Sequence, residues 1–292
     1  MVFQMFSSSI DVFEEQGDDF VDTVLSTGPL QELEQDATTQ RINILFLGIS
    51  GDGYIAGHLT DSIIVASLIE QQNSESKNIL FSIPRDLWVR TNNTSGKINE
   101  LYRYGGGTAT PDHTKSGVIK QKVQDITGLD IHYTIVINLV AIQKIASVLG
   151  SITIDGQEYD ADQINLYVRE RNATKTDFDR IERQQKLLVA LLKSVQEYNY
   201  SESSEKVIQL WGILASDMST DVGIGEYYNF FQLISSIDSD AVSVYSLTPA
   251  TGLVQPGYQT RNGLRVWTVV PTQGVEQYEL IQKFIHDAIN DV

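Results

Sequence analysis

The sequence predicts an α/β fold, a mostly buried sheet with helices over both faces, and three observations predict it. Continuous apolar runs of strand length recur along the chain, amphipathic segments with apolar residues three and four apart lie between them, and glycine or proline closes most of them. Strands covered on both faces read as unbroken apolar runs, whereas half-solvated strands alternate. At 292 residues the chain is long enough to bury a sizeable core.

Residues 1–40 hold nine acids and no Lys or Arg, and Gly17, Ser26–Gly28 and Thr38–Gln40 interrupt their periodicity. A short amphipathic helix fits Phe13–Leu25, but the segment reads chiefly as an acidic, partly disordered linker. The folded domain is expected over 41–292. Ile42–Gly48 is a continuous apolar run ending in a glycine-rich turn, as a buried central strand does. Ser62–Ile69 and Asn78–Ile83 read the same way, and Pro84 stops the second. Lys115–Thr127 has helical spacing that Gly128 terminates. Ile131–Ile137 is strand-like, Leu139–Leu149 is helical up to Gly150, and Ser151–Asp155 is a short strand. Tyr167–Arg171 is read as extended. Asp177 or Asp179 can cap a helix that begins near Arg180 and carries Leu187, Leu188, Leu191, Leu192 and Val195 on its apolar face. The last 92 residues, 201–292, form an α/β extension. Its helices are expected at Glu205–Ser216 and Ile224–Ile237, its strands at Ser243–Leu247 and Leu264–Val270, and a final helix from about Val275.

The net charge of −17 lies at the two ends, since residues 41–200 carry eighteen acids against seventeen bases. So acidic a protein is a poor nucleic-acid binder. No cysteine is present, which excludes disulfides and thiolate metal sites. The four histidines, His58, His113, His132 and His286, form no metal-binding pair. No run approaches the roughly 18 apolar residues of a membrane span, and MVFQMFSSSI lacks the basic and apolar regions of a signal peptide. The chain as it stands reads as soluble, and as one that a longer protein could contain.

Within the near-neutral middle, Arg169, Arg171, Arg180 and Arg183 fall in fifteen residues. In an extended segment Arg169 and Arg171 would share a side, because side chains alternate. On the following helix Arg180, Arg183 and Gln184 stand at i, i+3 and i+4, on one face. Arginines in a first helical turn oppose the macrodipole unless an anion compensates. Guanidinium forks fit phosphate oxygens bidentately, so converging arginines suit a pyrophosphate. The competing reading is an internal network with Glu170, Asp177, Asp179 and Glu182. Arg85 and Asp86 follow a strand that Pro84 ends, at the carboxyl edge where open α/β sheets bind ligands; a simple local pair is the alternative. Asp61, at the start of the second run, is either a Mg²⁺ ligand beside phosphate or a turn residue. Gly48–Gly53, GISGDG, matches neither a dinucleotide fingerprint nor a hydrolase elbow, and is read as a tight turn.

These pieces in this order resemble the LytR–CpsA–Psr family. The resemblance rests on NILFLG (Asn43–Gly48), TDS (Thr60–Ser62), SIPRD (Ser82–Asp86), KINELYRYGG (Lys97–Gly106), YVRER (Tyr167–Arg171) and DFDRIERQQ (Asp177–Gln185), and covers about 41–200. It implies a three-layer α/β/α sandwich with a central mixed sheet and a tunnel for a polyprenyl chain; Tyr133–Leu149 and Leu187–Val195 supply apolar surface enough to line one, and serve equally well as plain core. It implies a phosphotransferase moving a glycopolymer from polyprenyl pyrophosphate to peptidoglycan with Mg²⁺, working outside the cytoplasm at the membrane surface and anchored there by an N-terminal helix in the full-length protein. Arg85, Arg169, Arg171, Arg180 and Gln184 would hold the pyrophosphate, with Arg183 beside them. Asp61 would meet the metal, with Asp52 as substitute second ligand. Arg85, Asp86 and Arg180 would be catalytic. The sequence departs from the pattern at Ser50, where members commonly carry an acid, and at Leu59, near which they carry arginine. These departures leave open a protein that binds polyprenyl phosphate without turnover; a polyprenyl pyrophosphate phosphatase is the other alternative.

Overall fold

The computed structural model describes residues 41–51, 56–69, 77–169, 177–197 and 204–290. Asp52, Arg171 and the acidic segment 1–40 lie outside the described residues. In chain order the first elements are β1 (Ile42–Ile49), β2 (Thr60–Leu68), β3 (Ile79–Ser82), β4 (Trp88–Arg90), β5 (Ser95–Lys97), α1 (Leu101–Tyr104), α2 (Gly117–Thr127), β6 (Tyr133–Asn138) and α3 (Leu139–Leu149). Then follow β7 (Ile152–Ile154), β8 (Gln157–Tyr159), α4 (Ala161–Arg169), α5 (Asp177–Glu197), α6 (Ser204–Asp217), β9 (Met218–Thr220), α7 (Tyr227–Ser236), β10 (Ser243–Ser246), β11 (Val254–Arg261), β12 (Leu264–Pro271) and α8 (Glu279–Asn290).

Six strands form one mixed sheet in the order β10-β3-β2-β1-β6-β9. β1 runs antiparallel to β2 and parallel to β6, while β10 is parallel to β3. Alternation along β1 divides the core. Leu45, Leu47 and Ile49 join Ile119 and Val123 of α2 and Ile281 and Ile285 of α8 on one face. Ile42, Ile44 and Phe46 face α5 and α7 on the other, with Leu188, Val189, Leu192 and Leu233. The result is a three-layer α/β/α sandwich, as the apolar runs predict. On the α5 face Phe46, Leu188, Val189 and Leu192 are only partly buried, although Phe46 belongs to a central strand. No helix among the described residues is long and apolar enough to cross a membrane.

The structure corrects the reading of Tyr167–Arg171 as extended, because Tyr167, Val168 and Arg169 belong to helix α4. The cause lies upstream in a reciprocal cap. The Asp160 carboxylate accepts from the Gln163 N–H at 2.8 Å, and the Gln163 side chain accepts from the Asp160 N–H at 2.9 Å. Such a box satisfies two backbone donors and commits the residues after it to a helix. Further on, α5 starts at Asp177 rather than near Arg180, and α8 starts four residues later than the sequence suggests. β11, which the apolar pattern misses, pairs with β12 across the turn Asn262–Gly263.

Candidate functional site

The sheet topology gathers the site at one edge. β1, β3, β6 and β10 end there and the antiparallel β2 begins there, since Ile49 pairs with Thr60 and Ser82 with both Ile64 and Ser246. Asp61 is therefore carried to the edge by the start of β2, and Arg85 by the Ile83–Pro84 exit from β3. One Asp61 oxygen meets Arg85 Nη1 at 2.5 Å. The other accepts a short hydrogen bond from the Ser50 hydroxyl, which β1 delivers to the same point. Arg85 Nε lies 3.7 Å from Asp86, and Asp86 in turn meets Lys97 Nζ at 2.5 Å. The Ser50–Asp61–Arg85–Asp86–Lys97 row thus alternates charge, with Asp61 22% and Asp86 9% exposed at their side chains.

Backbone bonds fix this row. Asn99 N–H donates to the Arg85 carbonyl at 3.2 Å. The Thr60 hydroxyl donates to the Asn99 carbonyl at 3.4 Å. The Asp86 carbonyl accepts from Val269 N–H at 3.0 Å and from the Thr268 hydroxyl at 2.5 Å. Asn99 Oδ1 and Ser82 Oγ are buried with no hydrogen-bond partner among the described residues, an arrangement that costs free energy until a ligand or water answers it.

α5 brings the second group of residues. Arg180, Arg183 and Gln184 are all buried, at 6%, 8% and 7% exposure, on the shared face that their spacing predicts. The next residue, Gln185, fixes the helix to the sheet. Its amide donates to the Tyr245 carbonyl at 2.6 Å and accepts from the Ser246 hydroxyl at 2.7 Å. Since Ser246 pairs with Ser82, this holds the first half of α5 over the ends of β10 and β3, from which Arg85 follows. Arg183 Nε donates to the Tyr167 carbonyl at 3.1 Å, joining α5 to α4. Burial raises the Tyr167 phenol above its ordinary pKa. Arg169 is the last residue of α4. Sequence reasoning missed Lys97 and the bond from Ser50; a lysine closing a short strand carries no local signal, and only the β4–β5 pairing sets it against Asp86.

Among the described residues no group of three or more His, Asp or Glu side chains could hold a metal by itself. Mg²⁺ needs less, because one or two carboxylates suffice when substrate phosphates and water complete its six oxygens. Asp61, 22% exposed at the rim with its two oxygens on Arg85 and Ser50, is the carboxylate that would take that partial role once Arg85 leaves it for a phosphate oxygen. A groove of about 660 Å³ opens elsewhere, between the later part of α5, the β7–β8 hairpin and the start of β10, with Leu149, Val189, Ala190, Val242 and Val244 among its lining, and none of the residues of the rim lines it.

The chain is similar in sequence to an uncharacterized protein of Staphylococcus aureus, 24% identical over 237 residues. That match takes in 71% of this chain and 55% of the relative, so the chain spans about half the length of the curated relative it matches. Its fold is similar to the Lin1025 protein from Listeria innocua, with a TM-score of 0.63 and 20% identity over 87% of this chain and 100% of that one. It is similar also to B. subtilis TagV, with a TM-score of 0.63 and 19% identity over 86% of this chain and 97% of the other. TagT bound to LIIa-WTA has a TM-score of 0.60 and 17% identity over 88% and 93%. The LytR_cpsA_psr family matches residues 12–165 and 156–279, the greater part of the chain, and this protein belongs to that family.

Proposed function

We propose that this protein moves a glycopolymer from a polyprenyl-pyrophosphate carrier onto peptidoglycan. One observation carries the reading. Buried arginines on α5 and the Asp61–Arg85 row meet one sheet edge, next to an apolar face whose central Phe46 is left partly open. A lipid diphosphate has both chemistries, a doubly anionic head and a long apolar tail. Membership of the family and the likeness to TagT, solved with LIIa-WTA and with LI-WTA, support the same substrate class.

In this reading Arg180, Arg183 and Gln184, with Arg169 and Arg171 from the preceding segment, receive the pyrophosphate, and the polyprenyl chain lies between the sheet and α5. Arg85 exchanges its bond to Asp61 for a phosphate oxygen. A hydroxyl of peptidoglycan attacks the phosphorus nearer the glycan, the bond from that phosphorus to the bridging oxygen breaks, and polyprenyl phosphate leaves. The hydroxyl proton passes to solvent at the open rim. Asp86, buried between Lys97 and Arg85, orients Arg85 instead of accepting that proton. Phosphoryl transfer asks the protein for position and charge more than for covalent chemistry. Mg²⁺, held by Asp61 and Asp52 with the phosphates, would supply further neutralisation of that charge.

A second reading, a lipid-phosphate binder without turnover, is favoured by Ser50, which occupies an Asp61 oxygen with a neutral hydroxyl. Titrating the protein with polyprenyl pyrophosphate, with Mg²⁺ and with EDTA, tests the proposal. We expect saturable binding that Arg180→Ala weakens at least tenfold. Equal binding by wild type and Arg180→Ala would remove the arginines from the site.

A further inference from the structure

The β11–β12 hairpin carries two large aromatic rings that neither the core nor the proposed transfer chemistry uses. Tyr258 and Trp267 are direct cross-strand partners, so they stand on the same face of the ribbon. Both remain exposed, Tyr258 at 56% and Trp267 at 38%. Each has a cation over one face of its ring, so a ligand would stack on the other. Arg265 lies 4.4 Å from the Tyr258 centroid, and Lys97 Nζ lies 5.7 Å from that of Trp267. The two strands hold no Asp or Glu. An exposed pair of this kind serves poorly as core and well as a platform, because an aromatic face is electron-rich and the C–H bonds on one side of a pyranose ring are electron-poor.

Its place relative to the candidate site gives the occupant. Thr268 and Val269, the residues after Trp267, bond to the Asp86 carbonyl. Lys97 joins the Trp267 ring to the Asp86 carboxylate. The platform is thus continuous with Arg85, across neighbouring strands roughly 5 Å apart. It also lies on the side of the sheet opposite the partly open α5 face. Leu87, Val89, Val254 and Val269, at the base of the hairpin and beside it, belong to the core that Leu45 and Leu47 face, whereas Phe46 faces α5. A lipid carrier on the α5 face leaves the hairpin side of Arg85 to the incoming acceptor.

We propose that Tyr258 and Trp267 form a saccharide subsite that holds the N-acetylhexosamine glycan of the acceptor beside Arg85. Arg265 and Lys97 would donate to its hydroxyls and pendant carboxylates. The inference rests on the transfer reading above for the acceptor role, but the sugar contact can be measured apart from it. The test is calorimetric titration of the full chain with soluble N-acetylhexosamine fragments cut from peptidoglycan, for wild type, Trp267→Ala, Tyr258→Ala and the control Leu166→Ala, a residue 69% exposed on α4. The subsite predicts a loss of roughly five- to tenfold in affinity for each aromatic variant, none for the control, and unchanged binding of polyprenyl pyrophosphate by all. That last measurement also shows that the hairpin variants are folded, and Tyr258→Ala keeps the test open should Trp267→Ala not be. Absence of glycan binding by wild type, or equal binding by both aromatic variants, would overturn the subsite. Weakened binding of the lipid-linked donor in these variants would overturn the acceptor assignment. Failure of wild type to bind polyprenyl pyrophosphate would instead sink the transfer reading, whatever the sugar result.

Discussion

Asp61 is the residue on which the chemistry of the rim turns, because both of its oxygens are engaged within the protein, one by Arg85 and one by Ser50. A hydroxyl donor at that point stabilises the carboxylate without adding charge, so it favours the ion pair with Arg85 over a divalent cation. Ser50→Asp would place two carboxylates side by side, and like charges so close call for a cation between them. We expect tenfold or tighter Mn²⁺ binding in Ser50→Asp, read by electron paramagnetic resonance of free Mn²⁺; unchanged affinity would show that Asp61 is not where metal binds. Most of this row was legible in sequence. Asp61, Arg85 and Asp86 follow from a strand start and a proline-ended strand, and Arg180, Arg183 and Gln184 from helical spacing. Lys97 was not, since its partner depends on a hairpin register that no local pattern announces.

Among the elements, α4 shows why the Arg169 reading went astray. Period-two reasoning needs an extended segment, but the Asp160–Gln163 box starts a helix that runs through Arg169. The signal was present as an aspartate three residues before a glutamine. Asp160→Ala should cost about 1 kcal/mol by loss of the cap, measured as a lower urea midpoint at constant slope. The β7–β8 and β11–β12 hairpins were equally announced, by their turns. Asp155–Gly156 and Asn262–Gly263 have positive φ at both positions, 51° and 79° in one and 51° and 78° in the other, which is the type I′ turn that joins two-residue hairpins. An added Cβ at Gly263 meets nothing within 4 Å, so Gly263→Ala tests backbone strain alone, expected at about 1 kcal/mol. Thermal melts indistinguishable from wild type would contradict that turn.

Across the whole molecule, the three-layer sandwich followed from apolar runs and helical spacing, while the contacts that lock its layers together did not, being made between residues far apart in sequence. Glu276 is the example. Its carboxylate accepts from Lys122 of α2 at 2.6 Å, from the Arg90 N–H of β4 at 2.7 Å and from the Tyr278 hydroxyl at 2.9 Å. Burial beside that carboxylate pushes the Tyr278 phenol well above its ordinary pKa, so it stays a donor at any working pH. Glu276→Ala leaves the buried Lys122 with Asp125 as its one carboxylate partner among the described residues, and should lower stability by about 2 kcal/mol.

The central claim, that rim arginines hold a diphosphate while a glycan is passed to peptidoglycan, is tested most directly by a transfer assay. The protein would be incubated with labelled polyprenyl-pyrophosphate glycan, peptidoglycan and Mg²⁺, alongside Arg85→Ala and Arg180→Ala. Label on peptidoglycan with wild type, reduced a hundredfold or more in both variants (about 2.7 kcal/mol of transition-state stabilisation), is the predicted result. Normal transfer by both variants, or bound lipid with no label moved under Mg²⁺ or Mn²⁺, would contradict it.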